Sequence, residues 1–344
     1  MPTLYLIEQN TYLRKRGDRL LLCKRSVQGQ GRPPRLDETL LDIPCADVDH
    51  VMLFGNIQVT TQALKQLLKH GIELAIFSYS GKLLGQLTPP CTKNILLRVA
   101  QYERYKDDAF KLAFAKKIVS AKLENAMQMV RQHRKNHPDA LSPQEVKALR
   151  AYGERVRSAA TLDALRGFEG AGSADYFRLF GRMFAPPWTF RARSRRPPKD
   201  PVNAVLSYGY VIVGSEIQAL LDGIGFDPYL GFYHSIDYGR PSLALDLLEE
   251  FRHPLVDRLA LNLFNLKILN ENDFMKPPKG GVYLNTEGKR KFFVQYEKML
   301  GQTPSATDTA GAQQGFRAIF QQQIRKLQKA FLENKPYEPF FYNS

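Results

Sequence analysis

Short apolar runs separated by turn residues fill residues 1–90, whereas beyond them the apolar positions recur every three or four residues. The first pattern suits strands, whose side chains alternate between two faces, and the second suits helices that bury one stripe. Leu4-Tyr5-Leu6-Ile7 and Leu20-Leu21-Leu22 predict strands joined through the turn-bearing Arg16-Gly17-Asp18. Val51-Met52-Leu53-Phe54, Glu73-Leu74-Ala75-Ile76-Phe77 and Lys82-Leu83-Leu84 continue the series, with turns at Gly55-Asn56 and Ser80-Gly81. One short helix interrupts it: Thr60 or Thr61 caps it, Ala63, Leu64, Leu67 and Leu68 form its buried face, and Gly71 stops it. Residues 29–34 are expected to form a mobile loop. Nothing in this region has the glycine spacing of a phosphate cradle, so its expected role is structural, a dimer surface included.

Pro89-Pro90 marks the predicted boundary, and helices are expected beyond it. Residues 95–134 predict one or two long helices, with Val99, Tyr102, Tyr105, Phe110, Phe114 and Ile118 among the apolar positions. Lys135-Asn136-His137-Pro138-Asp139 is a polar break, which places His133 and His137 in solvated loop, and Ser142 opens another helix toward Arg157. A further helix is expected over residues 174–182. Ahead of it Glu169 stands among Gly167, Gly170 and Gly172. Either small neighbours let another backbone or a ligand approach this carboxylate, or it steadies the start of the helix that follows. Asp200 as cap and Pro201 at the first position start a helix that stops near Gly223. The remainder predicts a hairpin near residues 282–284, a helix over 291–300, a polar loop over 301–311 and an amphipathic helix over 318–332. The fold class expected is α+β: a β-rich, sandwich-like unit over residues 1–90 followed by an all-α unit over 91–344.

Charge changes the picture. Lys and Arg number 49 against 34 Asp and Glu, a formal net charge of +15 with an isoelectric point near 9.6. Such an excess favours a polyanionic partner, nucleic acid before membrane, since no basic amphipathic anchor and no apolar run of membrane length is evident. Arg191, Arg193, Arg195, Arg196 and Lys199 crowd a proline-rich segment that cannot be helical, beside Trp188 and Phe190, and predict a loop that tracks phosphates. Cys23, Cys45 and Cys91 lack the spacing of a zinc ribbon or a disulfide framework. With no signal-peptide core at the amino terminus, a cytoplasmic protein with reduced thiols is expected.

The chemistry concentrates in Gly-Phe-Tyr-His-Ser-Ile-Asp-Tyr-Gly-Arg-Pro-Ser-Leu-Ala-Leu-Asp-Leu-Leu-Glu-Glu-Phe-Arg, residues 231–252. Gly239 and Pro241 break the chain, Ser242 is a good cap, and Leu243, Leu247, Leu248 and Phe251 form a stripe that must be buried. Asp246 and Glu249 then share a helical face, and so could Asp246 and Glu250; spacing alone does not choose between the two glutamates. Two carboxylates beside a buried stripe repel and desolvate each other, so a cation belongs between them. With His234 as nitrogen ligand, the donor set suits magnesium or manganese. The same residues would also serve as an ordinary solvated face.

Taken together, Gly55-Asn56 and Thr60-Thr61 in a β-rich start, Leu-Arg-Gly-Phe-Glu-Gly-Ala-Gly-Ser-Ala-Asp-Tyr-Phe at 165–177, Arg-Arg-Pro-Pro-Lys-Asp-Pro-Val-Asn-Ala-Val-Leu-Ser-Tyr-Gly-Tyr at 195–210, Gly-Phe-Tyr-His-Ser at 231–235 and Leu-Ala-Leu-Asp-Leu-Leu-Glu-Glu-Phe-Arg at 243–252 resemble the family of CRISPR-associated protein one. The resemblance implies a DNA endonuclease and integrase of CRISPR adaptation, with Mg2+ or Mn2+ held by Glu169, His234 and Glu249 and with Asp246 as a nearby acidic residue. Asp246 would bind a second ion, orient the ligands or relay a proton. The resemblance also implies a homodimer acting on double-stranded and branched DNA with CRISPR-associated protein two, and an accessory nuclease that trims incoming DNA. A general metal-dependent nuclease and a non-catalytic DNA-binding scaffold are the rival expectations.

Overall fold

The structure is a computed structural model of the 344-residue chain and describes residues 3–24, 38–79, 81, 83–88, 94–278, 280–302 and 315–342. The chain divides into two compact units, Met1–Cys91 and Thr92–Ser344. The loop expected at 29–34, Pro89-Pro90, Cys91 and most of the polar loop after Gly301 lie outside the described residues.

The first unit contains β1 (Thr3–Leu6), β2 (Thr11–Arg16), β3 (Arg19–Lys24), β4 (Glu38–Pro44), β5 (His50–Phe54), β6 (Ile57–Val59), α1 (Thr61–Lys69), β7 (Glu73–Phe77) and β8 (Leu83–Leu87). One sheet has the order β1-β5-β7-β8, parallel as far as β7, and the other has the order β4-β3-β2-β6. Leu6, Val51, Leu53 and Leu74 of the first sheet and Leu13, Leu20 and Leu22 of the second share one core, closed by Ala63 and Leu67 of α1. Thr60 starts α1, its hydroxyl accepting from the Ala63 N–H at 3.3 Å, and Gly71 ends it with φ +70°. β2 and β4 escape the apolar-run reading because both are half polar. Only Thr11 and Leu13 of β2 are buried, and β4 is an edge strand with no fully buried residue. Cys23 and Cys45 are buried free thiols.

The second unit contains α2 (Ile95–Lys106), α3 (Asp108–Asn136), α4 (Pro143–Ser158), α5 (Leu162–Gly181), α6 (Pro201–Ile224), α7 (Ser242–Leu248), α8 (Arg258–Asn265), β9 (Phe274–Met275), β10 (Tyr283–Leu284), α9 (Thr286–Gly301) and α10 (Phe316–Leu332). Caps act at Asp200 and Ser142 but not at Ser242, which is the first residue of α7 rather than its cap. No side chain caps that helix, and the Ser242 hydroxyl donates to the Ser235 carbonyl at 2.9 Å instead. Asp200 Oδ1 accepts from the Asn203 N–H at 2.8 Å at the start of α6, and Ser142 and Glu145 close a reciprocal capping box on α4. α6 is long and apolar enough to cross a membrane, contrary to expectation, but its most apolar window is 72% buried within this unit. It is the core helix. Val99 and Tyr102 are exposed, because α2 turns Leu97 and Gln101 inward instead. His133 belongs to α3 rather than to a loop, half-buried beside the ring of His137. The largest difference is α5, which runs unbroken through Gly167, Gly170 and Gly172. Glu169 is therefore mid-helix and steadies no helix start.

At the end of α6 burial lifts the Asp222 carboxyl to about 6, helped by the charge of Asp227 and opposed by Arg98. A folded-state value above the unfolded one means the folded chain holds this proton more tightly. Its stabilising effect is complete below about 4 and lost as pH rises through 6. Asp222→Asn should therefore raise unfolding stability by about 1 kcal/mol at pH 8, the full linkage being reduced because the group is partly exposed. It should change nothing at pH 4. Urea unfolding at both values checks this, and equal effects would refute it.

Candidate metal and nucleic-acid site

The site is assembled from α3, α5, the 231–241 loop, α7 and the chain just after it. Gly172 allows a close approach: a Cβ there would meet Leu123 of α3 at 3.0 Å and Tyr152 of α4 at 3.2 Å. That packing sets Glu169, one turn earlier on α5, against Lys122 of α3. Lys122 is only 8% exposed. Its Nζ contacts Glu169 Oε1 and lies 2.7 Å from Glu249 Oε2. The Ser173 hydroxyl donates to the same Glu169 oxygen at 2.7 Å. On its outer side α5 is bare, since nothing lies within 4 Å of where Gly167 or Gly170 would carry a Cβ.

His234 reaches the cluster from a loop held by Asp246. A Cβ on Gly231 would come within 2.6 Å of the Ser242 backbone, so the loop lies directly on the start of α7. The N–H groups of Phe232, Tyr233 and His234 all donate to Asp246, at 2.6, 3.0 and 2.9 Å. Asp246 Oδ1 also lies 2.7 Å from His234 Nδ1. A carboxylate already accepting three backbone bonds makes Nδ1 the donor, so the proton is there and the lone pair is on Nε2. Nε2 faces Glu249, 3.7 Å from its Oε1. Arg166 steadies the loop from α5, donating to the Tyr233 carbonyl at 3.1 Å.

Glu249 and Glu250 leave the end of α7 in opposite directions. Glu249 turns into the cluster, where Arg252 Nε lies 2.9 Å from its Oε2. Glu250 instead accepts from Tyr337 Oη at 2.6 Å, the Phe340 N–H at 2.6 Å and Gln323 Nε2 at 3.0 Å. The segment after α10 is bound to α3 as well, with Tyr342 N donating to Asn125 Oδ1 at 2.7 Å and Asn125 Nδ2 donating to the Glu250 carbonyl at 2.8 Å.

Electrostatics separates these acids. Burial pushes Glu169 upward, but the Lys122 ammonium and the hydrogen bonds from Lys122 and Ser173 outweigh it, holding the carboxyl below its ordinary value. Burial also raises Glu249, and Arg252 and Lys122 reverse that, so it too is held well below the usual range. Among the described residues Glu250 has no ion-pair partner, and burial prevails over its hydrogen bonds and Lys326, lifting it to about 7.

Behind the cluster lies a buried network on the π-helical turn Arg252–Asp257. Asp257 accepts from Tyr210 and, at 2.8 and 2.7 Å, from Tyr176 Oη and His253 Nδ1. The guanidinium carbons of Arg252 and Arg193 lie 4.6 and 5.3 Å from the centroid of the Tyr210 ring.

A divalent ion fits the donor chemistry: two ionised carboxylates, an imidazole locked in the metal-binding tautomer, and a wholly buried Glu249 Oε2 with no aligned hydrogen bond. Among the described residues, however, no three acidic, histidine or cysteine side chains close to metal-ligand spacing. Lys122 bridges the two glutamates. Asp246, with its oxygens committed to the loop and His234, is not available as a ligand for a second ion.

The arginine loop divides. Arg191, Arg195, Arg196 and Lys199 are exposed. Arg193 is half-buried, donating to Asn203 Oδ1 at 2.5 Å as well as stacking on Tyr210, which makes it a brace rather than a free phosphate contact. Trp188 packs on Phe264 and Phe190 on Phe177 and Phe180, so both anchor the loop to the helical core. Lys122, Arg252 and the Asp257 network were not singled out in the sequence. The local signs were Arg252, one turn after Glu249, and the i,i+4 pair His253 and Asp257.

The family model described as CRISPR associated protein Cas1 matches residues 4–298. A CRISPR-associated endonuclease Cas1 of Thermus thermophilus is 35% identical over 337 residues, covering 98% of this chain and 96% of that protein. Another from Thermodesulfovibrio yellowstonii is 38% identical over 279 residues, 80% of this chain and 86% of that protein. A Cas4 exonuclease/Cas1 endonuclease fusion of Geobacter sulfurreducens is 33% identical over 307 residues, 87% of this chain and 53% of the fusion. Among solved structures, a casposase bound to integration product superposes with a TM-score of 0.84 at 22% identity, covering 98% of this chain and 93% of that one. A chain of a Cas6-RT-Cas1–Cas2 complex superposes with a TM-score of 0.80 at 25% identity, covering all (100%) of this chain and 36% of that one.

Proposed function

This chain belongs to the Cas1 family of CRISPR-associated proteins, and on that premise we propose that it is a divalent-metal-dependent DNA endonuclease and integrase of CRISPR adaptation, inserting short foreign DNA fragments into a repeat array in the cytoplasm. The observation that supports the reading is a chain of contacts across three separate elements: Lys122 joins Glu169 to Glu249, and Glu249 faces His234 Nε2. Glu169, His234 and Glu249 would hold Mg2+ or Mn2+. When bound there, the ion polarises a phosphodiester and stabilises the charge developing on its oxygens.

The protein's own groups do the rest. Asp246 orients His234 and keeps the proton on Nδ1. Arg252 holds Glu249 ionised and in place. The bare outer side of α5 beside Glu169 leaves room for a nucleic-acid backbone. No side chain acts as nucleophile. The 3′-hydroxyl of the incoming fragment attacks a phosphorus of the repeat, its O–P bond forming as the repeat's P–O3′ bond breaks; water takes the same role in cleavage. A homodimer working with CRISPR-associated protein two belongs to the same proposal. The Cas1–Cas2 complex supports that partner, and the fused relative supports an accessory Cas4-type nuclease.

The test is a strand-transfer assay with the full chain, CRISPR-associated protein two, a fragment with free 3′ ends, and a plasmid bearing a repeat. Covalently joined products at the repeat are expected with Mn2+ and are lost with chelator or in His234→Ala. Nicked DNA without joined products would leave only a general nuclease.

Arg195 and Arg196 are exposed in the same helical unit as the site, so replacing both with alanine should weaken DNA binding about equally for all sequences. It should also flatten the slope of log affinity against log salt by about one unit for each phosphate no longer neutralised. Unchanged affinity and slope in a salt titration would make the loop an ordinary surface.

A further inference from the structure

The site already contains a cation, and it is the protein's own. Lys122 Nζ touches Glu169 Oε1 and stands 2.7 Å from Glu249 Oε2, the two oxygens a divalent ion would share. The lysine is 8% exposed, and both carboxylates face it from packed elements, α5 and the exit of α7. Arg252 approaches Glu249 from the other side. The two glutamates are thus matched by two basic groups before any ion arrives. An entering ion would meet an ammonium at contact distance in a water-poor site, where like charges repel strongly.

We infer that Lys122 is a displaceable stand-in for the metal: its ammonium keeps Glu169 and Glu249 facing one point in the ion-free protein and leaves that position when a divalent ion enters. The ammonium-bridged carboxylates explain two observations at once. Two glutamates from different elements face one point in a buried site, and yet no three ligands close to metal spacing among the described residues. Lys122 is a positioning residue on this account, and it sets metal affinity by competition. It also holds the site silent, because a protein whose glutamates are tied to an ammonium offers no open coordination to DNA.

The inference rests on the metal reading above, and the experiment separates the two. Manganese alone is titrated calorimetrically into the full-length wild type, Lys122→Met and Glu249→Gln. Removing the competitor should tighten manganese binding at least tenfold in Lys122→Met. Its metal-free melting temperature should fall below that of wild type, because the glutamates then repel, and saturating manganese should close that gap. Equal or weaker binding by Lys122→Met, with wild type binding normally, overturns the inference alone. No binding by wild type, or binding untouched in Glu249→Gln, overturns the metal site and the inference with it. Should Lys122→Met fail to fold, the wild type answers by lysine acetylation read in the peptide carrying Lys122. Labelling should rise at least threefold on saturation with Mg2+; unchanged or reduced labelling refutes displacement.

Discussion

Glu169→Ala should abolish strand transfer and cleavage, by about 1000-fold or more, while DNA affinity holds or rises slightly. The loss is large because, on the proposed function, the carboxylate is one of three groups that would hold the ion stabilising the charge that develops on the phosphate, and water cannot replace it there. The fold should survive. Glu169 is in the middle of α5, alanine is the best helix former, and the packing against α3 depends on Gly172 rather than on Glu169. Affinity should hold because the change removes a negative charge where a polyanion would bind. Titrating labelled branched DNA at several salt concentrations and assaying joined products from the same samples reads both effects. An active Glu169→Ala protein would sink the site.

Asp257→Ala should act on stability instead, by about 4 kcal/mol, as expected when a buried charged acceptor is removed and its partners remain. Asp257 is wholly buried, and Tyr176, Tyr210 and His253 all donate to it. Alanine leaves two hydroxyls and one imidazole without their acceptor, in space too tight for the network to rearrange. The midpoint of urea unfolding should fall with the slope unchanged. Asp257→Asn, which keeps one acceptor oxygen, should lose clearly less. A loss below about 1 kcal/mol for alanine would show that the network is not a support of the site.

The two-unit plan was legible because strands and helices impose different periods, and the chain changes from one to the other near Pro90. Helix starts at Thr60, Ser142 and Asp200 were legible because a cap is local chemistry, one side chain meeting a backbone N–H three residues on. α5 was not, because three glycines lower its helical propensity and only packing against α3 and α4 restores it. Glu169, His234, Asp246 and Glu249 were named through a resemblance joined to a spacing, and the structure links them pairwise, Glu169 to Glu249 through Lys122 and His234 to Asp246 and Glu249 directly. Lys122 was invisible for a different reason. It is one of several lysines on α3, and its acidic partner Glu169 is 47 positions away. Periodicity describes which face a residue shares with its near neighbours, not which distant carboxylate it will meet. Arg193 shows the converse: a residue that looked like a phosphate contact by composition is a brace by placement.

The segment after α10 has a consequence in time. Glu250 leaves the ribosome 90 residues before Phe340, whose N–H it requires, and 87 before Tyr337. At ordinary rates of synthesis the wait is roughly 5 to 20 s. Until those residues are made, the carboxyl next to Glu249 lacks two of its three donors, Gln323 being the one synthesised earlier. The turn that carries Glu249 and Glu250 is therefore completed by late-made residues. Nascent chains stalled before Phe340 should accordingly be cut by added protease around Glu250, and the released 344-residue chain should resist. Equal resistance in both would mean that the site closes without that segment.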